Sequence, residues 1–123
     1  MGRETGRFGR TDRLRRPREF AAVNRRGWRT AGPAFVVLGA QRRAGEVRDP
    51  RVRLGITVSR KVGPAVVRNR VKRRVREWFR RSRAGLAPDL DLVVIARRPA
   101  AGLSGPEVGT MLSELLPRRS LAR

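Results

Sequence analysis

Apolar positions along this chain follow two distinct periods. Between Pro64 and Ser82 they recur at Val67, Val71, Val75, Trp78 and Phe79, with spacings of 4, 4, 3 and 1. Those spacings trace one face of an α-helix. At about 100° per residue they fill an arc of roughly 120°, and Asn69, Arg73, Arg76 and Arg80 lie opposite. A helix is predicted over 64–82, about 28 Å long at 1.5 Å per residue. Elsewhere the period is two. In RVRLGITVSR, Val52, Leu54, Ile56 and Val58 point one way, and Arg53, Gly55, Thr57 and Ser59 the other. The second set is small and basic, and leaves room for a ligand backbone beside Gly55.

Residues 33–41 (PAFVVLGAQ) and 90–96 (LDLVVIA) read as strands that are apolar on both faces, hence central or covered on both sides. The stretch 42–50 carries Gly45, Asp49 and Pro50 and reads as a loop. A short helix is predicted over 17–26, with Pro17 in its first turn, Gly27 at its C-terminal cap, and Phe20 and Val23 on one side. Ser104 with Glu107 has the spacing of a capping box. Val108, Met111, Leu112, Leu115 and Leu116 follow at helical spacing, and Pro117 stops that helix. The predicted order is α-β-β-α-β-α, an α+β chain. One domain is expected over 13–118, between a disordered basic arm at 1–12 and a frayed basic tail at 119–123.

Charge changes the picture. The 123 residues carry a formal net charge of +21. Eleven of the 25 residues from Ser59 to Arg83 are Lys or Arg, and Glu77 is the one acid among them. A solvated helix face normally mixes signs. A face of one sign points to a polyanion, with nucleic acid ahead of an anionic membrane surface. Arg outnumbers Lys 29 to 2, which codon bias could produce, although Arg does make bidentate phosphate contacts. Phe20 and Trp28 are the candidate stacking aromatics, and Trp78 and Phe79 belong to the core ladder.

The same inventory limits catalysis. Cys and His are absent, so thiol nucleophiles, imidazole bases and zinc fingers are excluded. Ser59, Ser82 and Ser104 have no His to activate them, and Ser59 with Lys61 is a weak Ser–Lys pair. Asp89 and Asp91 are close enough to suggest a two-carboxylate metal site, but at a strand start they more often serve a turn and solvent. No phosphate-loop glycine spacing occurs. No apolar run approaches a membrane span, and no secretory signal is read at the N-terminus. A cytoplasmic protein without a membrane or small-molecule partner is expected.

Arg68-Asn69-Arg70, Lys72-Arg73 and Arg76-Glu77 resemble the signature of the bacterial ribonuclease P protein subunit. Flanking matches extend the resemblance over about 13–118: Arg13-Leu14, Glu19-Phe20, Val23, Arg53-Leu54-Gly55, Val58-Ser59, Arg60-Lys61 and Ala96-Arg97-Arg98-Pro99-Ala100. The resemblance implies an α/β sandwich shared with a domain of a small-subunit ribosomal protein, with a left-handed βαβ crossover. Physical base rates favour the right-handed form.

The resemblance also implies 5′ maturation of precursor tRNA, with hydrolysis carried by a catalytic RNA and its Mg²⁺. In that family the protein binds the catalytic RNA and holds the 5′ leader in a cleft between the first helix and the sheet. Arg60, Lys61, Arg68, Asn69, Arg70, Lys72, Arg73 and Arg76 are then expected at the catalytic RNA. Phe20, Asn24, Leu38 and Arg53 are expected at the leader cleft, and no residue of this chain is expected to be catalytic. Asn24 and Leu38 replace aromatics common in the family, which shifts leader binding towards phosphate contacts. Other readings of so basic a chain are a structural ribosomal-type RNA-binding protein, an RNA chaperone, or a DNA-binding protein. Against the last, no helix-turn-helix or basic-zipper context appears.

Overall fold

A four-stranded sheet forms the centre of the computed structural model, which describes residues 23, 25–42 and 51–122. The strands are β1 (Trp28–Ala31), β2 (Phe35–Gln41), β3 (Arg53–Val58) and β4 (Leu90–Ala96), in the order β1-β2-β4-β3. β1 and β2 form an antiparallel hairpin, β2 and β4 pair antiparallel, and β3 runs parallel to β4. The parallel pair is joined through α1 (Ala65–Ser82), and α2 (Gly105–Glu114) follows β4.

The two strands read as apolar on both faces, β2 and β4, occupy the middle of the sheet, which has a core on each side. On the first side Phe35, Val37, Leu54, Leu92 and Val94 meet Val71, Val75, Trp78 and Phe79 of α1 and Val108 and Leu112 of α2. On the second side Val36, Leu38, Ala40 and Val93 pack with Val23. Fully burying side chains of this size contributes roughly 1.5–3 kcal/mol each, so the ladder on α1 locks that helix to the sheet. Trp78 adds a tie between the helices: its indole N–H donates to Ser113 Oγ at 2.9 Å.

The ends of α1 and α2 follow local chemistry. Pro64 precedes α1, where its missing N–H costs nothing, and its carbonyl accepts from the Arg68 N–H at 3.0 Å. The capping box at α2 forms in both directions. Glu107 N–H donates to Ser104 Oγ at 3.2 Å, and Ser104 N–H donates to Glu107 Oε1 at 2.8 Å. Of the helix predicted over 17–26, Val23, Arg25 and Arg26 are helical, and the Gly27 N–H closes onto the Val23 carbonyl at 3.0 Å. The rest of that helix, the arm at 1–12 and most of the loop at 42–50 lie outside the described residues.

Two features differ from the sequence reading. β1 is an additional strand, so the described order gains one strand before β2. Its sequence, WRTA, is short and half polar, and it becomes a strand because β2 offers a free edge for pairing. The tail, expected to fray, is held as far as it is described. Arg118–Ser120 form a 3-10 turn, Leu121 bridges to Leu86, and the Ala87 and Ala122 N–H groups donate to the Ser120 and Gly85 carbonyls, both at 2.9 Å. Ser120 is fully buried there and donates its hydroxyl to the Pro117 carbonyl.

Candidate nucleic-acid interface

The amphipathic split of α1 decides where its cations go. With Val71, Val75, Trp78 and Phe79 buried, Asn69, Arg70, Arg73 and Arg80 are exposed, and Arg68, Lys72 and Arg76 lie half-buried along the flanks. The 3-10 turn Arg60–Val62 leads into the helix and leaves Arg60 and Lys61 exposed while Val62 is buried. All eight cationic or amide residues expected at the catalytic RNA therefore lie on one continuous segment. No carboxylate interrupts it between Ser59 and Arg76.

They do not share one face. Arg68, Lys72 and Arg76 form one i, i+4 row, and Arg70 and Arg74 lie on another. The Arg70 Nη2 group donates to the Ala101 carbonyl at 3.4 Å, and Arg74 donates through Nη1 to the Leu103 carbonyl. Arg68 Nε donates to the Gly63 carbonyl at 3.1 Å. These bonds fix the guanidinium stems against the turns that flank the helix. A guanidinium carries five N–H donors, so one bond to a carbonyl leaves most of its fork for an anion.

Glu77 ends the unbroken positive stretch. Arg80 bonds it through both Nε and Nη2, the former at 3.1 Å, and Arg81 Nε lies 3.3 Å away. The Arg80 hydrogen bond holds the Glu77 carboxyl below its usual range, and Glu77 in turn raises Arg80. The C-terminal turn of α1 is therefore partly neutralised from within, and the positive field concentrates between Arg60 and Arg76.

The second side of the sheet carries an arrangement that sequence reasoning missed. Asp91 lies on β4 between Ala40 of β2 and Arg53 of β3, and is 4% exposed. Arg53 grips it with two bonds, Nε to Oδ1 and Nη2 to Oδ2, both at 2.9 Å. Arg42, equally buried, donates through Nη1 to the same Oδ1 and through Nη2 to the Arg51 carbonyl. Asp89 lies 3.9 Å from Arg42. Asp91 thus serves two arginines, whereas Asp89 sits in the turn before β4 with its side chain 43% exposed, as a carboxylate at a strand start was expected to. Among the described residues no cluster of three potential metal ligands occurs. One signal pointed this way: a carboxylate inside a strand read as buried on both faces needs a cation. The register that supplies Arg53 was not legible.

Of the four residues expected at the leader cleft, the structure describes two, and both lie on the second side of the sheet. Arg53 is on the second face, pinned by Asp91 and two residues from Gly55, which is buried beside Val93. Leu38 is 6% exposed and packs under Val23 in the second core. Phe20 and Asn24 lie outside the described residues. Trp78 and Phe79 are core residues, as the ladder required.

Comparison with known proteins gives a consistent result. A family model described as Ribonuclease P matches residues 8–119. The chain is 42% identical over 106 residues to the ribonuclease P protein component of Exiguobacterium sibiricum, covering 86% of this chain and 88% of that one. Its fold is similar to the solved RNase P protein of Staphylococcus aureus, with a TM-score of 0.75, 33% identity, and coverage of 85% and 91%. The Thermotoga maritima RNase P protein superposes with a TM-score of 0.69 at 36% identity, over 84% of this chain and 94% of that one.

Proposed function

The chain belongs to the ribonuclease P protein family, and from that premise we propose how it serves the holoenzyme in maturing tRNA 5′ ends. Its partner is the ribonuclease P RNA. The observation that carries the reading is the carboxylate-free segment from Arg60 to Arg76, mounted on a helix that the core holds rigid. Such a helix lays a fixed ladder of guanidinium groups along an RNA backbone. Six or more phosphate contacts made this way supply affinity that falls about 10³–10⁵-fold between 50 and 200 mM salt. Asn69, exposed among the cations, offers both a donor and an acceptor, and so can address a base edge or a 2′-hydroxyl where an arginine only donates.

The chain contributes binding and positioning, and the RNA contributes the chemistry. The sequence holds no His or Cys, and its described carboxylates at Asp91 and Glu77 are bonded to arginines. Among the described residues no cluster of three potential metal ligands occurs, and we assign the Mg²⁺ of the reaction to RNA phosphates. The precursor tRNA leader runs over the second side of the sheet, past Arg53. Neutralising phosphates on both RNAs lets them approach at low Mg²⁺. No helix among the described residues is long and apolar enough to cross a membrane, and we place the protein with its RNA in the cytoplasm.

The test is reconstitution. Added to its cognate RNA at low Mg²⁺, the chain is expected to accelerate 5′ cleavage of precursor tRNA over RNA alone. An unchanged rate, with both RNAs folded, would overturn this function.

A further inference from the structure

Among the described aromatics, Phe35, Trp78 and Phe79 are buried, and Trp28 alone keeps surface. Its position is unusually constrained. The six-membered ring lies across Gly39, its partner on β2, so closely that a Cβ at Gly39 would come within 2.2 Å of Trp28 Cζ2. Gly27 is equally restricted, since a Cβ there would fall 1.8 Å from the Gly39 carbonyl oxygen. Two glycines therefore let the backbone come close enough to hold one indole in place. A rigid aromatic surface loses little entropy on binding.

Beside that indole is a cavity of about 280 Å³, walled by Arg26, Trp28, Gln41, Leu90 and Arg119. Arg119 arrives because the tail folds back onto the 85–87 loop. Gln41 donates its Nε2 amide to the Pro88 carbonyl at 3.1 Å, which leaves Oε1 as the acceptor it can present. The volume lies just below the ~300–1,000 Å³ of drug-sized pockets, and suits one nucleotide. The chemistry matches too: an indole for a base, two guanidinium groups for a phosphate, and an amide oxygen for an exocyclic amino group. No residue of the pocket belongs to the 59–83 segment.

We infer that this pocket takes one unpaired nucleotide of an RNA, with its base against Trp28, its phosphate between Arg26 and Arg119, and its amino edge at Gln41 Oε1. The inference rests on the RNA-binding function proposed above. The nucleotide comes either from the ribonuclease P RNA or from the precursor tRNA, and the experiment separates them. In the full chain carrying Trp78→Phe, Trp28 is the sole indole. Its emission is followed as ribonuclease P RNA is added, and then as precursor tRNA is added to the assembled holoenzyme. Quenching in the first step assigns the nucleotide to the RNA subunit; quenching only in the second assigns it to the substrate.

In the matching step, Trp28→Leu is expected to weaken binding about tenfold, as loss of one base stack does. Trp28→Phe should retain most of the affinity, and Arg119→Gln should weaken binding severalfold. Because Arg119 is exposed, its replacement keeps the test valid if Trp28→Leu disturbs folding. Unchanged Trp28 emission in both steps, with Arg119→Gln and Trp28→Leu binding like the wild type, overturns the pocket and leaves the RNA-binding function standing. Failure of the wild type to bind either RNA overturns both.

Discussion

Replacing Asp91 by Asn should destabilise the domain far more than its single position on a strand suggests. Asp91 faces two arginines, and they are not equivalent. Arg53 has a side chain 19% exposed, whereas that of Arg42 is 3% exposed. When the carboxylate loses its charge, Arg53 can swing towards water and Arg42 cannot. Breaking a buried ion pair from one side costs about 3–5 kcal/mol, because the remaining charge loses its main partner, and for Arg42 the half-exposed Asp89 at 3.9 Å is a weaker substitute. Domains of this size are stable by about 5–15 kcal/mol in total, so the variant should lose a large share of its folding free energy. Urea unfolding followed by circular dichroism reads this directly as a lower midpoint at unchanged slope. Arg53→Ala should cost less, about 1.5–3 kcal/mol, the value of a charge-assisted bond. Replacing both charges, Arg42→Met with Asp91→Leu, should recover most of the loss, since a packed apolar pair can substitute for a buried ion pair. If Asp91→Asn costs under about 1 kcal/mol, or if the double replacement is additive, the two charges are not coupled in the way the geometry states.

Arg68→Ala combined with Arg73→Ala should weaken binding to ribonuclease P RNA and flatten the dependence of log K on log salt by about one to two units; an unflattened slope means that this helix face does not touch phosphates. Ser104→Ala should cost about 1 kcal/mol in urea unfolding by removing the cap of α2, and an undiminished midpoint would show the cap to be idle. The hydrogen bonds from the Ser104 backbone and side chain hold the Glu107 carboxyl below the ordinary glutamate range. A depressed folded pKa contributes stability that is complete above the unfolded value and is lost as pH falls through the folded one. The difference between wild type and Glu107→Gln should therefore be present at pH 7 and shrink below about pH 4; a difference constant with pH would refute the assignment.

The sequence revealed what depends on local period and local chemistry. The ladder Val67, Val71, Val75, Trp78 and Phe79 located α1 to within a residue, and Ser104 with Glu107 located the start of α2, because helix faces and caps are written within four residues. β1 was invisible for the opposite reason. Trp28–Ala31 has no apolar alternation of its own and is made a strand by pairing with 36–39. The ion cluster was invisible because Arg42, Arg53 and Asp91 meet only through the register of three strands, which no local pattern encodes. The tail looked frayed because RRSLAR is polar and terminal, and its order comes from backbone bonds to 85–87. For the interface the split is similar. Its cations were legible as a run, but the bonds that tie Arg70 and Arg74 to the Ala101 and Leu103 carbonyls were not.

That distinction explains how a chain of +21 folds at all. Its arginines fall into two groups by what lies next to them. Arg42, Arg53, Arg80 and Arg81 stand on carboxylates, and their charge is largely answered within the protein. Those from Arg60 to Arg74 have no carboxylate beside them in sequence, and the bonds of Arg68, Arg70 and Arg74 go to carbonyls at Gly63, Ala101 and Leu103. A carbonyl orients a guanidinium without neutralising it. Among the described residues, Asp91 and Glu77 thus answer arginines on the second side of the sheet and at the end of α1, and no acid interrupts the Arg60–Arg74 face that we propose for RNA. The self-repulsion left on that face opposes folding. It is relieved when a polyanion binds, so binding of the RNA and stability of the domain are thermodynamically linked.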